Sequence, residues 1–403
     1  VLNMAIYLDN AATTPIDPRI LEVMLPYLTN KWYNPSSLYS KSVQIQEDVE
    51  LARQTVLDCI GGTGKGQIYF TSGGSEANCM AIQGFRKQCI ADYYFPVIIK
   101  STIEHKSIVD CVEDSQHNHY LAPVDEEGFV NIDVLENIIS SILESNADNE
   151  LIPQKILVSI QMANNEIGTI QNIRAISQMV HKYKDVVLHV DAVQALGHIP
   201  IDVKYLGIDM LSASGHKIGC PKGIGFLYVK NRIKIKPIIY GSQMDGMRGG
   251  TENVPYIIGM AKAIKLCKNN MIKNEARLTT VRDYLITLLE DKFGCKVNGS
   301  KVARLSNNIN VTFPHKYMTG ESLLYALDTA GIYVGTGSSC NSHSVKPSYV
   351  LKAIGLTDEE CARTIRITLS ADTTIDDANK VGLEIRKALR IMEKCAGESL
   401  DEL

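Results

Sequence analysis

Val186-Val187-Leu188-His189-Val190-Asp191 and Met210-Leu211-Ser212-Ala213-Ser214-Gly215-His216-Lys217 decide the fold. Each is a short apolar run closed by a polar group, the pattern of a strand buried on both faces. The first ends on Asp191, with Gln194 three residues on, and the second on a turn that carries Lys217. Similar runs occur at 67–71, 97–101, 155–161 and 225–229, and helical patterns at 76–89 and 173–183 lie between several of them. This alternation predicts an α/β fold with a mostly parallel sheet covered on both faces. Ligands in such sheets bind beyond the carboxyl ends of the strands. Asp191, the Ser214–Lys217 turn and the Ser72–Ser75 turn all fall at such ends.

Farther along, a long helical stretch at 257–293 leads into a second region of α+β character. It comprises strands near 306–312, 332–334 and 365–369, helices near 320–330 and 348–354, and a final amphipathic helix at 376–395. The expected division is a large domain of residues 16–261 and a small domain built from 1–15 and 262–403. A length of 403 residues allows two or three domains. The net charge of −4, without a block of Lys or Arg, argues against a nucleic-acid footprint. No apolar run reaches the roughly 18 residues of a membrane span, and the basic and apolar regions of a signal peptide are missing at the start. A cytoplasmic protein without nucleic-acid or membrane partners is expected. The ten cysteines show neither a C-x-x-C pair nor a metal-ligand spacing, so no metal site is expected. Cys59, Cys79, Cys89, Cys111 and Cys267 are expected to pack as small hydrophobes in a reducing compartment. His117-Asn118-His119 reads as a solvated loop.

Several segments carry chemistry. Thr71-Ser72-Gly73-Gly74-Ser75-Glu76 follows a strand and opens a helix, so its free N–H groups and hydroxyls suit a phosphate; a plain glycine turn capped by Ser75 has the same sequence. A lysine and an acid at neighbouring strand ends suit pyridoxal phosphate, the amine for the cofactor aldehyde and the carboxylate for the ring nitrogen. Either residue alone also suits a surface turn. His105, in Glu104-His105-Lys106, is placed to stack on the ring or to be structural. Asn165, in Ala163-Asn164-Asn165-Glu166-Ile167-Gly168, suits the ring 3-oxygen, a substrate carboxylate or an ordinary turn, and Gln194 suits the 3-oxygen. Arg366 suits bidentate binding of an amino-acid carboxylate or a solvated strand face. Arg248-Gly249-Gly250-Thr251-Glu252-Asn253 offers a hydroxyl to a phosphate, across a dimer interface in one reading. Gly335-Thr336-Gly337-Ser338-Ser339-Cys340-Asn341-Ser342-His343-Ser344 is small and polar, with Cys340 as its one thiol, which suits a nucleophile or an incidental loop cysteine.

In this order the segments resemble the cysteine desulfurases of the NifS/IscS type within the class V aminotransferases. The resemblance spans nearly the whole chain. It begins at Tyr7-Leu8-Asp9-Asn10-Ala11-Ala12-Thr13-Thr14-Pro15 and Asn34-Pro35-Ser36-Ser37, and it ends with Pro347–Leu351 and Arg366. It implies fold type I of the pyridoxal-phosphate enzymes and a homodimer. In that reading Lys217 binds pyridoxal 5'-phosphate covalently and moves the Cα proton, Asp191 pairs with the ring nitrogen, His105 stacks on the ring, and Gln194 holds the 3-oxygen. Gly74, Ser75, Ser214 and His216 hold the phosphate, with Thr251 from the other subunit. Asn165 and Arg366 hold the substrate carboxylate, and Asn34 lies on the substrate side. Cys340 takes sulfur from L-cysteine as a persulfide, leaving alanine, and passes it to an acceptor such as an iron–sulfur scaffold or a tRNA thiolation enzyme. Tyr39 stands where many members have histidine, Asn341 where threonine is common, and the segment 370–374 departs from the usual one. Alternatives are a selenocysteine lyase, another class V aminotransferase, and a non-catalytic sulfur-relay subunit.

Overall fold

The computed structural model describes residues 5–114, 118–147, 153–336 and 347–397. In chain order the first part contains β1 (Ile6–Tyr7), α1 (Pro18–Thr29), α2 (Ser40–Cys59), β2 (Gly66–Thr71), α3 (Gly74–Ala91), β3 (Phe95–Ser101), α4 (Lys106–Glu113), β4 (His119–Ala122), α5 (Ile132–Ala147) and β5 (Gln154–Gln161). Then come α6 (Ile173–Val180), β6 (Val186–Asp191), α7 (Val203–Leu206), β7 (Met210–Ser214), β8 (Gly225–Lys230) and α8 (Val254–Phe293). The remainder is β9 (Lys296–Val297), β10 (Asn308–Thr312), α9 (Gly320–Thr329), β11 (Ile332–Tyr333), β12 (Gly335–Thr336), α10 (Tyr349–Ala353), α11 (Asp358–Ala362), β13 (Thr364–Thr368) and α12 (Ile375–Ala396).

The apolar runs pair into one seven-stranded sheet in the order β2-β8-β7-β6-β5-β3-β4. Only β8 runs against its neighbours. Successive residues of a strand face opposite sides, and both sides are covered. Val97, Ile99, Val158, Leu188 and Val190 pack in the cluster that contains Ile45, Val49 and Val56 of α2 and Ile176 of α6. Ile98, Leu157, Val187 and Leu227 pack in the other cluster, with Met80 and Phe85 of α3 and Ile108 and Val112 of α4. Double coverage explains why these strands place apolar residues on both faces instead of alternating. His119, expected in a loop, instead opens β4 opposite Ile98, and its side chain is exposed; His117 lies outside the described residues.

Helix α8 spans 40 residues, about 60 Å at 1.5 Å per residue. Its first turns bury Ile257, Met260 and Ile264 in the large core. Its last turns bury Leu278, Val281, Leu285 and Leu289 in a second core, together with Ile309 and Val311 of β10 and Ile365 and Ile367 of β13. That core lies against the antiparallel sheet β12-β13-β10-β9. The chain start belongs to this second body: β1 pairs with β11, Leu8 joins its core, and Asp9 bridges to Thr368.

Candidate active site

The carboxyl ends of β2, β3, β5, β6 and β7 come together along one edge of the large sheet. After β2 the chain turns at Ser72-Gly73 into α3. That turn is held from both sides. Glu76 accepts from the Ser72 N–H at 2.7 Å and pairs with Arg248 Nε at 2.8 Å. Gly225, at the start of β8, lies so close beneath it that a Cβ there would sit 2.7 Å from the Gly73 carbonyl carbon. A Cβ on Gly74 would meet Val193 Cγ2 at 2.6 Å, so the helix start can lie this near Val193 only as glycine.

Asp191, fully buried at the end of β6, keeps both oxygens engaged. Asn78 Nδ2 donates to Oδ2 and the Val193 N–H donates to Oδ1, each at 2.9 Å. Below it, His189 is held between Ser159 of β5 and Ser212 of β7 at 2.9 and 2.8 Å, and burial pushes its imidazole down to about 3. At the end of β7, Lys217 donates from Nζ to the carbonyls of Ala11 and Ala12 at 2.5 and 2.7 Å. Burial and the nearby Arg366 guanidinium hold its ammonium down to about 8, against the pull of Asp9 and Asp191. His105 caps α4, with the Ser107 N–H donating to its Nδ1 at 3.1 Å. In a neutral ring that contact places the proton on Nε2.

These groups line one cavity of about 260 Å³. Gly74, Ser75, Ser214 and His216 stand at one part of its wall, and Asp191, His105, Gln194, Asn165 and Lys217 at the rest. Asn78, Ser107, Gln161 and Val193 also line it and were not anticipated. Asn78 lies one helical turn past Gly74, a spacing that marks it as facing the same ligand. Gln194 donates to the Ala11 carbonyl at 3.0 Å, and Asn165 accepts from Gln161 at 3.2 Å. Arg366 donates to Asp9 Oδ1 at 2.8 Å and to the Asn165 carbonyl at 3.1 Å. Gly335 lies under this guanidinium; a Cβ there would be 2.9 Å from Nη2. Asn34 and Thr251 are exposed and outside the cavity wall, and Asn34 Oδ1 accepts from the Ser36 N–H. Cys340 lies outside the described residues.

The donor set fits pyridoxal phosphate. Ser214 Oγ and Asn78 Oδ1 are buried without a partner among the described residues, so the wall retains polar capacity for a ligand. An anionic group suits the N–H groups that open α3, and Asp191 supplies a buried carboxylate on the cavity wall. Among the described residues no three His, Cys, Asp or Glu groups gather as a metal site.

The doubly covered sheet, the second α+β body and the lysine and acid at neighbouring strand ends define the class of pyridoxal-phosphate fold type I. The aminotransferase class-V model matches residues 6–381. A cysteine desulfurase IscS of Methanosarcina thermophila is 41% identical over 94% of this chain and 90% of its own length. That of Dictyoglomus turgidum is 42% identical over 96% and 95%. A solved NifS-like protein from Rickettsia africae superposes with a TM-score of 0.84 at 32% identity, covering 96% of this chain and 99% of that one. The chain belongs to the class-V aminotransferase family and, within it, to the cysteine desulfurases of the IscS type.

Proposed function

We infer that this chain converts L-cysteine to L-alanine and hands the sulfur to an acceptor, with pyridoxal 5'-phosphate as its cofactor. The observation that carries the reading is the shared cavity of Asp191, Lys217 and the Gly74-Ser75 helix start. Bound there, the cofactor supplies an electron sink for the charge left at the substrate Cα. Asp191, fixed by Asn78 and the Val193 N–H, holds its carboxylate toward the ring nitrogen. Lys217, its ammonium held down to about 8, takes the Cα proton. Gly74, Ser75, Ser214 and His216 hold the phosphate, His105 covers the ring, and Gln194 serves the 3-oxygen. Arg366 and Asn165 orient the substrate carboxylate, with Asn34 a more distant contributor. Cys340 is the thiol that receives the sulfur. Thr251 completes the phosphate site of a partner subunit in a homodimer. We further propose residues 16–261 as the large domain and 1–15 with 262–403 as the small one, a division supported by the separate core around the last turns of α8 and bridged where Val350, Leu351 and Ile354 pack with Ile103 and Ile167. An iron–sulfur scaffold or a tRNA thiolation enzyme fits as acceptor, and a cytoplasmic setting fits the cysteine usage.

The test is to load the protein with pyridoxal phosphate, add L-cysteine and a thiol reductant, and measure alanine and sulfide together. Equal amounts from the parent, lost in both Lys217→Ala and Cys340→Ala, are expected. Alanine formation that persists in Cys340→Ala removes the nucleophile from the proposal. Turnover confined to selenocysteine favours the lyase, and no turnover in a loaded parent overturns the activity.

A further inference from the structure

Helices α3 and α4 meet through a polar seam that the proposed reaction does not use. Cys79, Gln83 and Arg86 fall on one face of α3 by helical spacing. Cys111 of α4 faces them, its Sγ 3.6 Å from Cys79 Sγ. Both were expected to be buried hydrophobes; instead both residues are half-buried. Gln83 Nε2 donates to the Cys111 carbonyl at 3.2 Å and to its sulfur at 3.4 Å. Arg86 is 2% exposed, and none of its three guanidinium nitrogens has a partner among the described residues. A buried cation without a counter-charge is costly. The ionisable neighbour that acts on Arg86 is Cys111. A thiolate at this seam would supply the missing anion.

We propose that Cys79 and Cys111 form a redox-active dithiol, served by Arg86 and oxidised by low-molecular-weight disulfides. The Cys79 thiolate attacks one sulfur of the reagent disulfide, forms a mixed disulfide and expels one thiolate. The Cys111 thiolate then attacks the Cys79 sulfur and expels the second. Two cysteine thiols are oxidised to one disulfide, the reagent is reduced to two thiols, and the two cysteine protons end on them. The sulfurs must close from 3.6 Å to about 2.05 Å. Cys79 is the first attacker because the Cys111 S–H donates to it and lowers its thiol; Lys87 assists, and burial and Glu76 oppose. Arg86 lowers the thiol of Cys111 against the stronger upward push of Cys79 and burial. The crosslink would tie α3, which opens at Gly74, to α4, which is capped by His105.

The test treats the purified full-length chain with glutathione disulfide and maps its peptides without reduction. A peptide pair joined through Cys79 and Cys111 is expected, absent in Cys79→Ser and in Cys111→Ser. Arg86→Met should slow its formation at least severalfold at neutral pH, with Arg86→Lys restoring part of the rate. In the reduced parent, Cys79 should be alkylated faster than Cys111 at neutral pH, and Cys111→Ser should move the midpoint of the Cys79 pH profile upward. The exposed Cys395 is the reactive control. Both seam cysteines free, or carrying separate glutathione adducts, while Cys395 is modified would overturn the proposal. The parent map decides this even if a variant fails to fold.

Discussion

Arg366 is the clearest case of a side chain set by its surroundings. Asp9 and the Asn165 carbonyl take two of its donors, and Nε, buried without a partner among the described residues, is left for a ligand. In the proposed role it grips a carboxylate with a planar fork that lysine lacks. Arg366→Lys should therefore raise KM for cysteine about tenfold or more, equivalent to about 1.4 kcal/mol, in steady-state assays. Gly335→Ala should do the same indirectly, because the new Cβ displaces the guanidinium. An unchanged KM in both would remove the carboxylate role. Lys217 makes a second prediction. A free lysine amine titrates near 10.4, whereas this one is held down to about 8. In the cofactor-free protein, peptide-resolved acetylation of Lys217 should reach half its limiting rate near pH 8. A midpoint above pH 10 would show that the cavity does not suppress its charge.

Among elements, the strands were the most legible part of the chain. Runs such as 186–190 carry apolar residues on both faces because helices cover both sides of the sheet, and that composition survives without any knowledge of partners. The long helix at 257–293 was equally legible, and structure extends it by three residues to Val254, where Pro255 suits a first turn. Helix α2 went unread although Ile45, Val49, Ala52 and Val56 recur at helical spacing, because polar residues crowd between them. Asn78 and Gln161 were missed for another reason. Nothing local marks a helix asparagine or a strand-end glutamine as functional until the fold brings them to one cavity. The close fit of β8 beneath the turn into α3 gives the prediction at this scale. In Gly225→Ala the new Cβ meets backbone atoms at 2.6 to 2.8 Å, and backbone cannot swing away as a side chain can. Overpacking of this kind costs about 1–3 kcal/mol. A lower melting temperature and faster loss of bound cofactor on dialysis are expected, and a variant with unaltered retention would separate the turn from phosphate binding.

Across the whole molecule, buried titratable groups set how stability changes with pH. Glu104 is fully buried, accepts from Ser101 and the Gln161 N–H, and is pushed up to about 8 by burial. Glu166, which accepts from Ser348 at 2.6 Å, is pushed up to about 7 for the same reason. Between their ordinary value of 4.5 and these raised values, the folded chain holds protons that the unfolded chain has released. Stability therefore falls as pH rises through that window, by about 1.4 kcal/mol per pH unit for each group. His189 acts in the opposite sense. Its folded value near 3 lies below the ordinary 6.5, so stability rises with pH up to 6.5 and gains nothing from it above. Urea melts of the cofactor-free protein should thus show stability declining just above pH 6.5, before the lowered thiol of Cys79 and amine of Lys217 act the other way. Glu104→Gln should flatten that decline, and an identical slope in the variant would refute the assignment.

The opening residues of the chain are bound to its far end. Ala11 and Ala12 hold Lys217 through their carbonyls, Asp9 holds Arg366, and the Ala11 N–H donates to Thr368 Oγ1 at 2.9 Å. On a ribosome residues 9–12 emerge long before Arg366 and Thr368. The large sheet has all its strands well before then and is free to form during synthesis. Lys217, by contrast, gains its carbonyl anchors in their final setting only when translation has passed Thr368. A product stalled before Arg366 would carry every strand of the large sheet while the proposed site still lacked the partners of Asp9 and Ala11.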